Sequence, residues 1–191
     1  MSKKTLLAAF FSLCLCSAGW SATYYVDNVS GNDGNAGSSG SPWKTISHAL
    51  DTITDGDKVV VAAGTYTDRS GGETLVESFA ANYMGKKSLW LQGAGAGQTI
   101  IDLDGRGGLN IDLHNHLALD SSLSTFEGFT FRNFTDEFFG LRKVANVIIR
   151  NNYFIGPSTA GNALGVGAEV YSGGDPKYCW NITITGNTFE S

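Results

Sequence analysis

A short pattern of residues recurs three times in the second half of the chain. An apolar residue, any residue, a second apolar residue, any residue and then Asn or Gly occur in FTFRN (129–133), VIIRN (147–151) and ITITG (182–186). The copies begin 18 and then 35 residues apart, so the motif is kept while the connecting loops vary. This is typical of a solenoid, in which each repeat of roughly 20–45 residues buries its apolar face only by stacking on its neighbours.

The repeats favour a parallel β-helix over other all-β folds. A sandwich or a barrel also has short strands at even spacing, but gives no reason for one residue type to recur at one position. In a parallel β-helix, equivalent residues of neighbouring coils lie about 4.7–4.9 Å apart. We therefore expect Phe131, Ile149 and Ile184 to form one stacked column, and Asn residues at the turns to form a hydrogen-bonded ladder.

The rest of the chain has the composition of such a body. It contains 25 Gly and only 3 Pro, and β-branched or aromatic runs alternate with turns of Gly, Asn and Asp. The predicted β runs lie at 58–66, 87–93, 98–105, 108–113, 124–134, 145–154, 168–174 and 180–189.

One helix is predicted before these runs, and no second helix is predicted among them. The segment TISHALDTI (45–53) places four apolar residues at helical spacing: Ile46, Ala49, Leu50 and Ile53. We expect this helix to cover the N-terminal opening of the β-helix, where unpaired strands and apolar core would otherwise be exposed. The Gly-, Ser- and Asn-rich stretch 30–40 would then be a flexible connection to a first strand at 24–27.

Residues 1–22 have the pattern of a secretory signal peptide. Lys3 and Lys4 precede a short apolar run, and small residues follow it up to Ala22. We therefore expect one domain at 23–191, with an N-terminal cap at 23–57 and coils at 58–191, in a secreted protein that is extracellular, periplasmic or at the cell surface. No other segment is apolar over enough residues to span a membrane.

Charge and cysteine content exclude two classes of protein. The chain has 13 Lys and Arg against 18 Asp and Glu, a net charge of −5, and loss of two lysines with the signal peptide would make the remainder more acidic. Nucleic acid is therefore not expected as a partner, because its binding requires a basic surface. Cleavage would also leave Cys179 without another cysteine, so the domain is not a disulfide-stabilised small scaffold.

The N-terminal segment resembles a known group of proteins. The resemblance rests on YYV (24–26), GNDG (31–34), PWKTI (42–46), GDKVVV (56–61) and GTY (64–66), and is continued by LWLQGAGAGQTIIDLDG (89–105) and NITITGNTF (181–189). These motifs are similar to the N-terminal portion of secreted right-handed parallel β-helix proteins of the pectate-lyase-like superfamily. The superfamily includes polysaccharide lyases such as pectate and chondroitin lyases, and also hydrolases, epimerases, phage tailspikes and adhesins.

The resemblance implies a right-handed parallel β-helix with an N-terminal capping helix, and it implies activity on an acidic, uronate-containing polysaccharide. A lyase that acts by β-elimination is the expected function. The alternatives are a non-catalytic surface or adhesion module that binds glycans, and a glycoside hydrolase, which would need paired carboxylates that we do not locate. We expect a monomer, and a β-helix that is incomplete at its C-terminal end.

One group of candidate site residues lies in the acidic stretch IDLDGRGGLNIDLHNHLALD (101–120). Asp102 and Asp104 have the hard oxygen ligands that suit Ca²⁺, the candidate cofactor. His114 and His116 are candidates for a base near neutral pH. A solvated outer edge of a strand explains the same residues equally well, because alternate residues of a strand share one face.

A second group consists of basic and aromatic residues. The candidate substrate-binding residues are Arg132, Arg142, Arg150 and Tyr153, and Lys143 is a candidate for the base of an elimination. Arg132 and Arg150 occupy the same position of the repeat, so we expect them to stack on one outward face and bind a uronate carboxylate. The alternative is that Glu127, Asp136 or Glu137 neutralises them locally.

Overall fold

Nearly all strands in the described part of the chain are short and run parallel to one another. The computed structural model describes residues 21–83, 88–107, 109–112, 124–135, 138–142, 145–156, 164–167, 169–170, 176–177 and 180–190. These residues include two helices, α1 (Ile46–Thr52) and α2 (Leu75–Tyr83), and sixteen strands. None of the helices in the described ranges is long and apolar enough to cross a membrane.

Fourteen of the strands form three parallel sheets. The largest has the order β1 (Thr23–Val26), β2 (Lys58–Val61), β4 (Trp90–Gly93), β7 (Ser124–Glu127), β10 (Ala145–Arg150) and β15 (Trp180–Thr185). The five-stranded sheet has the order β3 (Gly64–Thr67), β5 (Thr99–Arg106), β8 (Thr130–Phe134), β11 (Tyr153–Ile155) and β16 (Thr188–Glu190). The three-stranded sheet has the order β6 (Leu109–Asp112), β9 (Phe139–Arg142) and β12 (Leu164–Gly167).

The other two described strands, β13 (Glu169–Val170) and β14 (Pro176–Lys177), form a small antiparallel pair. From β2 onward, successive strands of the three parallel sheets lie in different sheets, and every strand after the first of its sheet pairs with a strand from an earlier pass of the chain. The fold is therefore parallel and β-helix-like, as the repeats predict.

Each long β run divides into two strands at a residue with left-handed backbone conformation. The break falls at Gly128 (φ 78°) between β7 and β8, at Asn151 (φ 54°) between β10 and β11, and at Gly186 (φ 63°) between β15 and β16. Gly has no Cβ to clash in this region, and Asn tolerates it better than most residues. The Gly or Asn at each of these three positions thus turns the chain from the six-stranded sheet into the five-stranded sheet.

The inward residues of the coils form two stacked columns. Leu91, Phe126 and Ile149 are paired in register on the six-stranded sheet, and each is completely buried. On the five-stranded sheet, the rings of Phe131 and Phe154 lie 5.0 Å apart between centroids, and that of Phe189 lies 5.0 Å beyond Phe154. In the last described coil, Ile184 is 41% exposed and Phe189 is 52% exposed.

The expected column of Phe131, Ile149 and Ile184 is wrong in its first member. Ile149 pairs with Ile184, but its partner on the other side is Phe126, and Phe131 pairs with Phe154 in the other sheet. The repeats are therefore spaced by 23 and 35 residues. The difference arises because residues 124–134 contain two strands, and the apolar-x-apolar pattern fits the second strand as well as the first.

The predicted asparagine ladder is present at the turn between the two larger sheets. The side chain of Asn152 accepts a hydrogen bond from the Phe129 N–H (3.0 Å) and donates to the Phe126 carbonyl (3.0 Å) and to Asn187 Oδ1 (3.1 Å). Asn187 in turn donates to the Ile149 carbonyl (2.8 Å). Each amide thus binds backbone groups of the coil before it, and Asn152 is almost fully buried.

The predicted helix is present as α1, and its apolar stripe is buried. Ile46, Ala49, Leu50 and Ile53 all belong to the main hydrophobic core. Thr45 caps the helix, because its hydroxyl accepts a hydrogen bond from the His48 N–H (3.1 Å). The buried carboxylate of Glu73 also accepts hydrogen bonds from the N–H groups of Ile46 (2.7 Å) and Ser47 (3.0 Å).

The prediction that no second helix exists is wrong. Helix α2 packs against α1 and buries Leu75 and Phe79. Its apolar residues come four apart in a segment that lacks Gly and Pro, LVESFAANY, so the helical period was available in the sequence.

The Gly-, Ser- and Asn-rich stretch wraps around a buried tryptophan, where a flexible connection was expected. Trp43 is 3% exposed, stacks on Tyr24 with ring centroids 4.6 Å apart, and donates from Nε1 to the Asn35 carbonyl (2.9 Å). Backbone hydrogen bonds join Tyr25 N–H to the Gly37 carbonyl (2.8 Å) and Trp43 N–H to the Tyr25 carbonyl (2.9 Å). The stretch therefore covers the outer edge of β1, which would otherwise expose unpaired backbone groups.

Candidate functional site

The outer face of the six-stranded sheet concentrates charged and aromatic side chains. Along β2 and β4, Val59 and Leu91 point into the core, so the alternate residues Lys58 and Trp90 point outward. Lys58 is paired in register with Trp90, and Glu127 of β7 is paired with Arg150 of β10. We call Lys58, Trp90, Glu127 and Arg150 the outer-face cluster.

Hydrogen bonds and a cation–π contact join the members of this cluster. Trp90 Nε1 donates to Glu127 Oε1 (2.7 Å), and Arg150 Nε donates to Glu127 Oε2 (2.6 Å). Lys58 Nζ lies 3.7 Å from the centroid of the Trp90 ring. Trp90 is 37% exposed, its N–H is bound and the Lys58 ammonium lies over its ring, so the cluster holds the indole in a fixed orientation at the surface.

The electrostatics of the cluster keep Glu127 ionised. Burial works to raise the pKa of Glu127, but the hydrogen bonds from Arg150 and Trp90 and the charges of Arg150 and Lys58 outweigh it, so the pKa lies below its usual value. Lys58, Glu127 and Arg150 are the charged residues in the described strands of this sheet. The face therefore has two cations and one anion in a chain whose net charge is −5.

A second arginine–carboxylate pair lies on the five-stranded sheet. Arg132 Nε donates to Asp102 Oδ2 (2.8 Å), and the side chains of Arg132 and Arg150 are 37% and 38% exposed. Asn133 Nδ2 and the Asp104 N–H also donate to the Asp102 carboxylate, which is almost fully buried. Burial works to raise the pKa of Asp102, but these hydrogen bonds and the Arg132 charge lower it below its usual value.

The surroundings of Asp102 do not fit Ca²⁺. Both of its oxygens accept hydrogen bonds from N–H groups, while Asp104 is exposed and has the positive φ of a turn residue (52°). Across the described ranges, no group of three or more His, Cys, Asp and Glu residues could hold a metal ion.

The candidate substrate-binding arginines lie on different sheets. Arg132 is in β8 of the five-stranded sheet and Arg150 is in β10 of the six-stranded sheet, so the expectation that they stack on one face is wrong. The cause is again the register of residues 124–134, in which Glu127 and not Arg132 is paired with Arg150. Arg142 ends β9 of the three-stranded sheet, and its side chain lies outside the described part of the structure.

Of the remaining candidate site residues, one lies in the described part of the structure and the others do not. Tyr153 is half-buried in β11, on the same sheet as Arg132. Lys143, His114 and His116 lie outside the described residues, as do Asp136 and Glu137. Of the carboxylates expected to neutralise the arginines, Glu127 pairs with Arg150, and Arg132 is instead paired with Asp102.

Two members of the outer-face cluster, Lys58 and Trp90, were not among the predicted site residues. The segment LWLQ (89–92) alternates strictly, and Leu89 and Leu91 are buried while Trp90 is exposed. A tryptophan at the outward position of an alternating strand was therefore the signal that could have found the cluster.

Comparison with known proteins gives the family and one structural likeness. A solved structure described as "Rhamnogalacturonan lyase" matches 88% of this chain at 17% identity with a TM-score of 0.45, and the chain spans 50% of that structure's length. No curated protein matches the sequence. Residues 29–191 match the family model described as "Protein of unknown function (DUF1565)". The chain is a member of the DUF1565 family.

Proposed function

We propose that this protein binds an acidic, uronate-containing polysaccharide along the outer face of its six-stranded sheet. The observation that carries the proposal is the outer-face cluster, where an exposed, fixed indole lies between a lysine and an arginine. A polysaccharide with one carboxylate on a sugar ring combines an apolar ring face with a negative charge. In the cluster, the Trp90 ring can contact the apolar ring face, and Arg150 and Lys58 can bind the carboxylate.

The side chains would divide the recognition between them. The Trp90 ring would pack against the apolar face of one pyranose, since flat aromatic rings bury apolar surface and hold polar groups at their edge. Arg150 uses Nε for Glu127, and within the described residues its two terminal nitrogens donate no hydrogen bond. These two nitrogens can therefore bind a sugar carboxylate with two parallel hydrogen bonds. Lys58 would move off the indole and add a second positive charge.

The reaction we propose for this protein is β-elimination. A base takes the proton from the carbon next to the uronate carboxylate, the bond from the neighbouring carbon to the glycosidic oxygen breaks, and a carbon–carbon double bond forms. The departing oxygen takes up a proton, and cations neutralise the carboxylate while charge develops on it. Lys143, His114 and His116 are the candidates for the base.

The remaining parts of the proposal concern architecture and location. We propose that residues 1–22 are a signal peptide, that residues 23–191 form a right-handed β-helix domain, and that α1 caps its N-terminal opening. The positive start and short apolar run support secretion, and the buried stripe of α1 supports the capping role. We also propose that the domain acts as a monomer.

Binding is tested with two matched arginine variants. Arg150→Gln removes a cation from the outer-face cluster, and Arg132→Gln removes an equally exposed, carboxylate-paired arginine from the other sheet. We expect Arg150→Gln to weaken binding to polygalacturonate, alginate or a glycosaminoglycan about tenfold, and Arg132→Gln to leave it within about twofold, as measured by calorimetry. Equal losses in the two variants would show that binding does not use this face.

The reaction is tested on the full chain with the same polymers. A lyase produces unsaturated chain ends that absorb ultraviolet light. New reducing ends without that absorbance would instead indicate a hydrolase. Binding with neither product would support the non-catalytic glycan-binding alternative and overturn the lyase proposal.

A further inference from the structure

A cavity of about 350 Å³ lies between strands β1 and β2 and the loop that wraps Trp43. Its lining includes Tyr25, Asp27, Asn35, Ser39, Ser41 and Val60. The volume is within the range of protein ligand pockets, roughly 300–1,000 Å³. None of these residues belongs to the outer-face cluster.

The walls of this loop cavity are held in place by hydrogen bonds. Asp27 Oδ1 accepts from the Val29 N–H (2.9 Å), and Oδ2 accepts from the Ser30 hydroxyl (2.5 Å). Asn35 Nδ2 donates to the Pro42 carbonyl (2.8 Å), while the Asn35 carbonyl accepts from the buried Trp43 indole (2.9 Å). A ligand would therefore enter a site that is already formed, which lowers the entropic cost of binding.

Several polar groups of the lining remain available to a ligand. Within the described residues, the hydroxyls of Tyr25, Ser39 and Ser41 and the Oδ1 atom of Asn35 make no hydrogen bond. Hydroxyls both donate and accept, and the amide oxygen accepts. Tyr25 and Val60 add apolar surface beside them. A ring with several hydroxyls and an apolar face matches this lining.

The charge of the lining selects against other ligands. None of the described residues that line the cavity is a lysine or an arginine, and Asp27 is ionised over most of the pH range because the Ser30 hydroxyl and the Val29 N–H lower its pKa. An anionic sugar would therefore meet a like charge. A metal ion would find the carboxylate already accepting three hydrogen bonds, and Asp27 is the one carboxylate among the described lining residues.

We propose that the loop cavity binds one uncharged sugar residue. This goes beyond the proposed function, because the site shares no residue with the outer-face cluster and takes a neutral ligand where that cluster takes an acidic one. A glycan with both neutral and acidic residues could occupy both sites.

The test is a titration of the full chain with methyl glycosides of neutral sugars, such as glucose, galactose, mannose and rhamnose, followed by amide NMR shifts. We expect saturable, millimolar binding of at least one glycoside with shifts at residues 25–42, and no such binding of methyl glucuronide or methyl galacturonide. Failure of every neutral glycoside to give saturable shifts there would overturn the proposal, as would tighter binding of the acidic sugars.

Three variants test whether neutral glycosides bind in the loop cavity. Ser41→Leu fills the cavity while keeping the Ser41 backbone hydrogen bond to Ser38, and should abolish binding. Tyr25→Phe removes one free hydroxyl with little change of shape and should weaken binding several-fold. Arg150→Gln should leave neutral-sugar affinity unchanged, so failure of the outer-face proposal and failure of this one are distinguishable. Wild-type affinity in both cavity variants would place any binding elsewhere.

Discussion

At the scale of single residues, the two asparagines of the ladder, Asn152 and Asn187, should contribute differently to stability because they differ in burial. Asn152→Ala would remove the acceptor for the Phe129 N–H and the donor to the Phe126 carbonyl, and would leave both buried. An unsatisfied buried polar group costs about 1–3 kcal/mol. We therefore expect Asn152→Ala to lower the free energy of unfolding by about 3 kcal/mol, measured by urea denaturation.

The matched control is the next residue of the ladder. Asn187 occupies the same repeat position but lies in the last described coil, where its surroundings are more exposed. Its side chain bonds the Ile149 carbonyl and two donors of Asn152 at half-buried positions. Water can reach part of this site, so Asn187→Ala should cost less than Asn152→Ala, about 1 kcal/mol. Similar losses for the two substitutions would show that burial does not set the strength of the ladder.

At the scale of elements, the loop around Trp43 depends on a glycine. Gly37 has φ 73°, and a Cβ at this position would lie 2.6 Å from the Trp43 ring. Gly71 also has a positive φ (63°), but a Cβ there would meet nothing within 4 Å. Gly71→Ala should therefore cost only the backbone term, about 1 kcal/mol. Gly37→Ala should cost about 3 kcal/mol because it also displaces the buried indole.

Thermal or urea unfolding followed by tryptophan fluorescence measures both variants. Gly37→Ala should also change the native emission, because Trp43 would lose its buried environment and its stacking on Tyr24. An equal cost for the two alanines, with unchanged native emission, would contradict a role for Gly37 in seating Trp43 against the edge of β1.

Features of the fold that depend on local periodicity could be predicted from the sequence, and features that depend on the register between strands could not. Parallel stacking, the asparagine ladder and the buried stripe of α1 depend on local periodicity, which is visible along the chain. The register is not local: residues 124–134 fit the repeat in two ways, and only cross-strand pairing shows that Phe126 rather than Phe131 adjoins Ile149. The partners of Arg132 and Arg150 follow from that register, so they could not be assigned before it.

At the scale of the whole molecule, we expect the buried and the hydrogen-bonded carboxylates to give the stability a maximum at mildly acidic pH. Hydrogen bonds lower the folded-state pKa of several acids, most of all that of Glu77, to about 2; the others are Asp27, Asp102 and Glu127. Below their usual pKa values the unfolded chain binds more protons at these groups. Stability is therefore lost as the pH falls from about 4.5 towards the folded pKa values.

Glu73 acts in the opposite direction. Burial raises its folded-state pKa above the usual 4.5, despite the hydrogen bonds from Ser47 and Ile46, so the folded chain binds its proton first. Stability at this group is therefore greatest below about pH 4.5 and declines as the pH rises through the raised folded value. Together the two effects predict that the free energy of unfolding, measured by urea titration across the pH range, has a maximum at mildly acidic pH and falls on both sides.

Glu73→Gln separates the two limbs of this curve. The variant cannot exchange a proton at this position. Its free energy of unfolding should be lower by about 1–2 kcal/mol, because the amide accepts the hydrogen bonds from the α1 N–H groups less well than the carboxylate does. It should keep the acid limb, because the other four carboxylates are unchanged, and it should lose the decline on the alkaline side of the maximum. A decline there that persists in Glu73→Gln would assign that limb to another group. A wild-type curve that rises steadily to neutral pH would mean that burial does not outweigh the hydrogen bonds at Glu73.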